Sequence, residues 1–136
     1  MAGRSEARRF ALQMLYLLDQ NPEAEMDRVQ AALQKEFPDV TLRDFSWAII
    51  SGVTASRTEL DDLICRTATN WRLDRMAPTD RNVLRMGLFE MTRMGTPAAV
   101  VIDESVEIAR EFGTENSSSF VNGILDKLIP ASCVDE

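Results

Sequence analysis

The chain contains no histidine and only two cysteines, Cys65 and Cys133. Histidine is the most frequent general base and metal ligand of proteins, and two cysteines without C-x-x-C spacing do not make a zinc site. The glycine-rich phosphate loop and the G-x-S-x-G nucleophile motif are also absent. We therefore predict a protein that is not an enzyme and that has no metal and no cofactor.

The sequence also lacks long apolar runs. No segment approaches the roughly 18 consecutive apolar residues of a membrane span, and no apolar block near the start resembles a signal peptide. Apolar residues make up 45% of the chain and charged residues 27%, which is typical of a globular domain. We expect a single domain over residues 1–136, located in the cytoplasm.

Positive charge is scarce overall, since the formal net charge is -7. Neutralisation of phosphates supplies most of the non-specific affinity for nucleic acids. The negative net charge therefore argues against sequence-independent binding of nucleic acid. The charges are uneven, however. Arginines are concentrated near the start and between residues 66 and 93, and acidic residues dominate after residue 98.

Helix-forming residues and a period of 3 to 4 in the apolar positions recur along the whole chain, without sustained alternation. The patterns predict an all-α helical bundle of about seven helices in two three-helix-like halves, about 1–69 and 78–130. The predicted helices are Arg4–Asp19, Asp27–Phe37, two within 41–69 that meet at a bend over 54–58, one from an N-cap at Thr79-Asp80, Ala98–Phe112, and Phe120–Leu128.

Arginines form the first candidate binding site. Arg4 and Arg8 are four residues apart and share a face of the first predicted helix, with Arg9 adjacent. Arginine side chains bind phosphates and stack on bases. Basic residues at the start of a helix interact unfavourably with the helix dipole, so helix stability does not explain these three arginines. The alternative is a solvated helix end, because three arginines are a small patch.

A polar loop between two aromatic residues is the second candidate. Phe112 and Phe120 flank a stretch of Thr, Asn and Ser that includes Asn116. The two rings can stack on unpaired RNA bases, or they can be core residues that pack two helices together. The local sequence pattern is compatible with both interpretations. Asp103 and Glu107 lie one turn apart on the preceding helix and are interpreted as a solvated face.

With these segments placed, the chain resembles the transcription antitermination factor NusB family over nearly all of its length. The resemblance rests on three segments in the family's order and spacing. They are RSEARRFALQMLYLLD, TDRNVLRMGLFEM and TPAAVVIDESVEIAREFGTENSSSFVNGILDK. The resemblance implies an all-α fold of two halves and a role without catalysis.

The resemblance further implies binding of boxA RNA from ribosomal RNA operons together with the ribosomal protein NusE, which helps RNA polymerase pass terminators. A homodimer is a further state that it allows. On the matching positions, RNA would meet the first helix and the loop between the last two helices, at Arg4, Arg8, Arg9, Phe112, Asn116 and Phe120. The protein partner would lie near Asp80, Arg85 and Glu90.

The chain departs from the family pattern at its start. Ser5 and Glu6 stand where the family often has an unbroken arginine cluster. Fewer phosphate contacts imply weaker and less salt-sensitive RNA binding, so we expect the partner to restore affinity. The competing hypothesis is a helical protein-interaction module whose RNA binding is weakened or lost.

Overall fold

The computed structural model describes residues 3–21, 23, 26–68 and 75–130, and within these ranges the chain is helical without strands. The all-α prediction is confirmed. Of the predicted link over 71–78, residues 71–74 lie outside the described residues. The seven helices of the described ranges are α1 Arg4–Gln20, α2 Met26–Glu36, α3 Val40–Ala55, α4 Arg57–Thr67, α5 Pro78–Arg93, α6 Ala98–Phe112 and α7 Ser117–Lys127.

The first compact unit, Met1–Ala55, contains α1, α2 and α3. Helix α3 contacts both α1 and α2, because each helix buries one apolar stripe. A buried hydrogen bond also joins two of them, in which the Ser46 hydroxyl donates to the carbonyl oxygen of Ala7 at 2.9 Å. The core residues of this unit are Ala7, Ala11, Leu12, Leu15, Val29, Leu33, Phe37, Phe45, Ile49, Ile50 and Val53.

The second unit, Ser56–Glu136, is built around α5. This helix contacts α4, α6 and α7, and every residue from 82 to 91 is buried. Gly87 permits close approach at its centre, since an added Cβ would lie 3.0 Å from Leu125 and 3.1 Å from the Ser105 hydroxyl oxygen. A helix buried on all sides is the central element of this unit.

Three boundaries differ from the sequence prediction. The two units divide between Ala55 and Ser56, earlier than the predicted division near residue 69, because α4 packs on α5 and α7. The predicted N-cap at Thr79-Asp80 is wrong. Ala77 is the N-cap and Pro78 begins α5, since proline lacks an N–H and its fixed φ suits the first helical position. Helix α7 begins at Ser117, three residues before the predicted start.

Candidate nucleic-acid interface

Two arginines of α1 stack against one aromatic ring of α3. The guanidinium carbon Cζ of Arg4 lies 4.8 Å from the centroid of the Phe45 ring, and that of Arg8 lies 5.1 Å from it. Both distances are within the range of cation–π attraction. Arg8 is only 5% exposed, whereas Arg4 is exposed at the surface. The predicted face of Arg4 and Arg8 therefore exists, with Arg4 as its accessible member.

Phe45 is a functional residue that the sequence analysis does not single out. The ring is 8% exposed and does belong to the core of its unit. Its second role comes from a tertiary contact between α1 and α3. No local pattern signals such a contact, because the two helices are separated by the whole of α2.

Glu6 lies in the first turn of α1, where it accepts a backbone hydrogen bond and faces an arginine. The backbone N–H of Gly3 donates to Glu6 Oε1 at 2.8 Å, which satisfies one of the free donors at a helix start. This hydrogen bond is the main reason that the pKa of Glu6 is lowered, and nearby Arg9 lowers it further. Arg9 Nη1 lies 3.7 Å from Glu6 Oε2. Part of the positive charge of α1 is therefore offset by Glu6.

Small residues fix the loop between α6 and α7. Helix α6 ends at Phe112, as predicted, and Gly113 follows it as the C-cap in an extended conformation. A Cβ at Gly113 would lie 2.6 Å from the Ser117 Cβ and 2.8 Å from the carbonyl oxygen of Ala109, so only glycine fits without displacement. The buried hydroxyl of Ser117 accepts the backbone N–H of Thr114 at 2.9 Å. This bond explains why α7 starts at Ser117.

The loop presents one amide to solvent. Asn116 is exposed, and among the described residues its side chain makes no hydrogen bond. Its carbonyl oxygen accepts the N–H of Phe120 at 3.1 Å, inside the first turn of α7. The backbone of Asn116 is thus held in place while its side-chain donor and acceptor groups are available to a ligand.

Both flanking aromatics, Phe112 and Phe120, are half-buried. This intermediate exposure answers the question left by the sequence, since neither ring is a fully buried core residue. Phe120 also lines a cleft of about 530 Å³ with Arg75, Met76, Asp80, Asn116 and Ser119. The second unit therefore brings Asp80 together with two of the predicted RNA-contacting residues.

The other two residues predicted for a protein partner are interior. Arg85 is 3% exposed and Glu90 is 2% exposed. The guanidinium of Arg85 donates from Nε to Asp61 Oδ1 at 2.7 Å and from Nη2 to Asp61 Oδ2 at 3.1 Å. Its Nη1 donates to Asn82 Oδ1 at 3.0 Å. Burial leaves these side chains no surface for direct contact with a partner, and Arg85 instead joins α5 to α4.

Acidic residues of α6 do not gather into a metal site. Within residues 3–21, 23, 26–68 and 75–130, no three side chains of the metal-ligating types come together. Glu107 instead accepts a hydrogen bond from Arg110 at 2.6 Å on the exposed face of the helix.

Among the described residues, no helix is both long and apolar enough to cross a bilayer.

Together, the fold and these groups define a small all-helical protein with stacked arginines on its first helix and a hydrogen-bonded loop that carries an exposed amide between its last two helices. The NusB family model matches residues 5–130. The chain therefore belongs to the NusB family.

Relatives and solved structures agree with this membership. The chain is 44% identical to the transcription antitermination protein NusB of Solibacter usitatus over 128 residues, covering 93% of this chain and 88% of the relative. It is similar to NusB of T. maritima, with a TM-score of 0.86, 32% identity, and coverage of 93% and 90%. A crystal structure of the antitermination factors NusB and NusE with dsRNA shares the fold, with a TM-score of 0.83, 22% identity, and coverage of 92% and 94%.

Proposed function

We propose that the chain is a non-enzymatic, cytoplasmic transcription antitermination factor that binds boxA RNA of ribosomal RNA operons together with NusE. The complex would help RNA polymerase pass terminators. The observation that carries the proposal is family membership, with relatives named as transcription antitermination proteins at 41 to 44% identity over more than nine tenths of the chain. The solved complex of NusB, NusE and dsRNA supports it through a shared fold.

The described groups suit single-stranded RNA. Arg4 presents a guanidinium whose plane is restrained by Phe45, and a restrained arginine loses less entropy when it binds phosphate. Arg9 adds a positive charge on the same helix. In the second unit, the half-buried rings of Phe112 and Phe120 offer stacking surfaces, and the amide of Asn116 offers hydrogen bonds to base edges. Arg8 acts mainly by packing, because it is buried.

The decisive experiment compares RNA binding with and without NusE by fluorescence anisotropy. We expect boxA RNA to bind weakly to the chain alone, because its net charge is -7. Addition of NusE should tighten binding at least about tenfold, which corresponds to about 1.4 kcal/mol. Equal affinity for a scrambled RNA at physiological salt would contradict sequence-specific recognition.

A second candidate function is a helical interaction module with weakened or lost RNA binding. The observation that favours it is the pairing of Glu6 with Arg9, which reduces an already small cationic patch. This alternative predicts that NusE binds but that boxA and scrambled RNA are not distinguished. Size-exclusion chromatography of the chain alone, with NusE and with RNA also tests whether a homodimer forms and dissociates on RNA binding.

Replacing Glu6 by Gln should raise RNA affinity. The glutamine carbonyl can still accept the Gly3 N–H, so α1 keeps its start, while Arg9 loses its carboxylate neighbour. Each additional phosphate contact steepens the plot of log K against log salt by about 0.7 for single strands. We expect a steeper slope and tighter binding, measured by anisotropy between low and physiological salt.

The matched control for this change is Glu36→Gln, an exposed carboxylate at the end of α2. It alters net charge equally but not the environment of Arg9. An identical gain in both variants would show that net charge alone sets RNA affinity. No gain in Glu6→Gln would show that Arg9 does not contact RNA.

A further inference from the structure

A carboxylate with one oxygen that accepts no hydrogen bond within the described residues lies in the wall of the cleft in the second unit. Asp80 is half-buried and lines the 530 Å³ cleft beside Asn116 and Phe120. Its Oδ1 atom is shielded from solvent, and among the described residues it accepts no hydrogen bond. Buried polar atoms are nearly always paired, so this acceptor marks a place where a donor is missing.

The unpaired acceptor makes binding of a donor favourable. A buried acceptor left without a partner has lost its hydration and gains no hydrogen bond in return, and this cost is larger if the acceptor is charged. The terminal torsion of aspartate is broad, so rotation by less than a half-turn at small cost can bring the shielded oxygen to the cleft side of the carboxylate. A ligand that delivers two adjacent N–H groups into the cleft can then pair with both oxygens.

The other walls of the cleft suit a nucleobase. Phe120 offers part of an aromatic ring, and Asn116 and Ser119 offer exposed polar side chains at the opening. Arg75 lines the same cleft and is exposed, where its positive charge can meet a phosphate. Stacking surface, hydrogen-bonding groups and a cation in one concave site form the set that recognises a splayed-out nucleotide.

We infer that Asp80 reads the Watson–Crick edge of a guanine seated in this cleft. The inference rests on the proposed function, which it extends by naming the base. A carboxylate accepts only, and guanine carries two adjacent donors on that edge, the N1–H and the N2 amino group. Cytosine and adenine place one amino donor next to a ring acceptor, and uracil places its single N–H between two carbonyl oxygens. Guanine is therefore the best complement to Asp80.

This role differs from the one that the sequence predicted. The family resemblance implies that Asp80 contacts a protein partner, together with Arg85 and Glu90. The structure buries those two side chains and leaves Asp80 in the cleft with Asn116 and Phe120. Asp80 therefore shares a site with the loop residues Asn116 and Phe120.

The test is an NMR titration of the complete ¹⁵N-labelled chain with guanosine 5′-monophosphate and inosine 5′-monophosphate. The two nucleotides differ only in the N2 amino group. We expect guanosine monophosphate to shift the amide resonances of residues 116–120 and to bind about tenfold more tightly than inosine monophosphate, as loss of one charge-assisted hydrogen bond implies. In Asp80→Asn this preference should fall below about twofold, because a neutral amide accepts a weaker hydrogen bond.

Two controls test whether the effects depend on Asp80 and on the presence of a base. Asp103→Asn removes an exposed carboxylate of α6 and should keep the preference, and ribose 5-phosphate should not shift residues 116–120. Equal binding of the two nucleotides to the unaltered chain, or a preference that survives in Asp80→Asn, would overturn the inference. If boxA RNA still binds with NusE in that case, the inference fails while the proposed function stands.

Discussion

Replacing Asp61 by Ala should lower the free energy of unfolding by about 3 kcal/mol. The change removes both carboxylate oxygens that accept from the Arg85 guanidinium, at 2.7 and 3.1 Å. Arg85 is 3% exposed, so its charge stays inside the protein without that compensation. Urea unfolding, followed by circular dichroism at 222 nm, measures the loss.

Two comparison variants isolate the buried charge as the cause. Asp62→Ala removes an exposed carboxylate from the adjacent position of α4 and should cost less than about 0.5 kcal/mol. Arg85→Met removes the charge itself and should cost less than Asp61→Ala, because the remaining Asp61 carboxylate is 24% exposed and regains water. Equal losses in Asp61→Ala and Asp62→Ala would mean that the ion pair contributes nothing to stability.

Replacing Phe120 by Leu should weaken binding of boxA RNA to the complex with NusE by about tenfold, as expected for the loss of stacking on one base. Leucine keeps most of the apolar volume that the half-buried ring occupies, so the melting temperature should change little. Anisotropy titrations and thermal unfolding of the same preparation measure both quantities.

Two further variants separate the contribution of the aromatic ring to RNA binding from the contribution of apolar volume to stability. Phe120→Tyr keeps an aromatic face and should bind RNA nearly as the unaltered chain does. Phe89→Leu, in the core of α5 at 9% exposure, should lower stability without weakening RNA binding. A large fall in melting temperature in Phe120→Leu with unchanged RNA affinity would assign Phe120 to packing alone.

Helix positions were predictable because each depends on a local pattern. The apolar stripe of α1 and the glycine that ends α6 are signals within one or two turns. The start of α7 was not predictable in this way. It depends on the Ser117 hydroxyl accepting a backbone N–H, and serine in a Ser-rich loop gives no indication of which residue makes that bond.

The interior of α5 shows a stronger limit of sequence reasoning. Arg85 and Glu90 resemble surface residues in the sequence, yet both are buried. Burial of Arg85 depends on Asp61, which lies 24 residues earlier in the chain. The stacking of Arg4 on Phe45 is another contact between separate helices. Such contacts follow from the assembled fold, and no single segment encodes them.

The tight packing of Gly113 against Ser117 has a consequence for how RNA preference can change. Substitution at either residue would displace the start of α7, and the Thr114 hydroxyl is itself hydrogen-bonded to that of Ser117 at 3.3 Å. Residues 115 and 116 are exposed, and their side chains can vary without moving the backbone of the loop. Libraries randomised at 115 and 116 alone are therefore the direct route to variants with altered RNA preference.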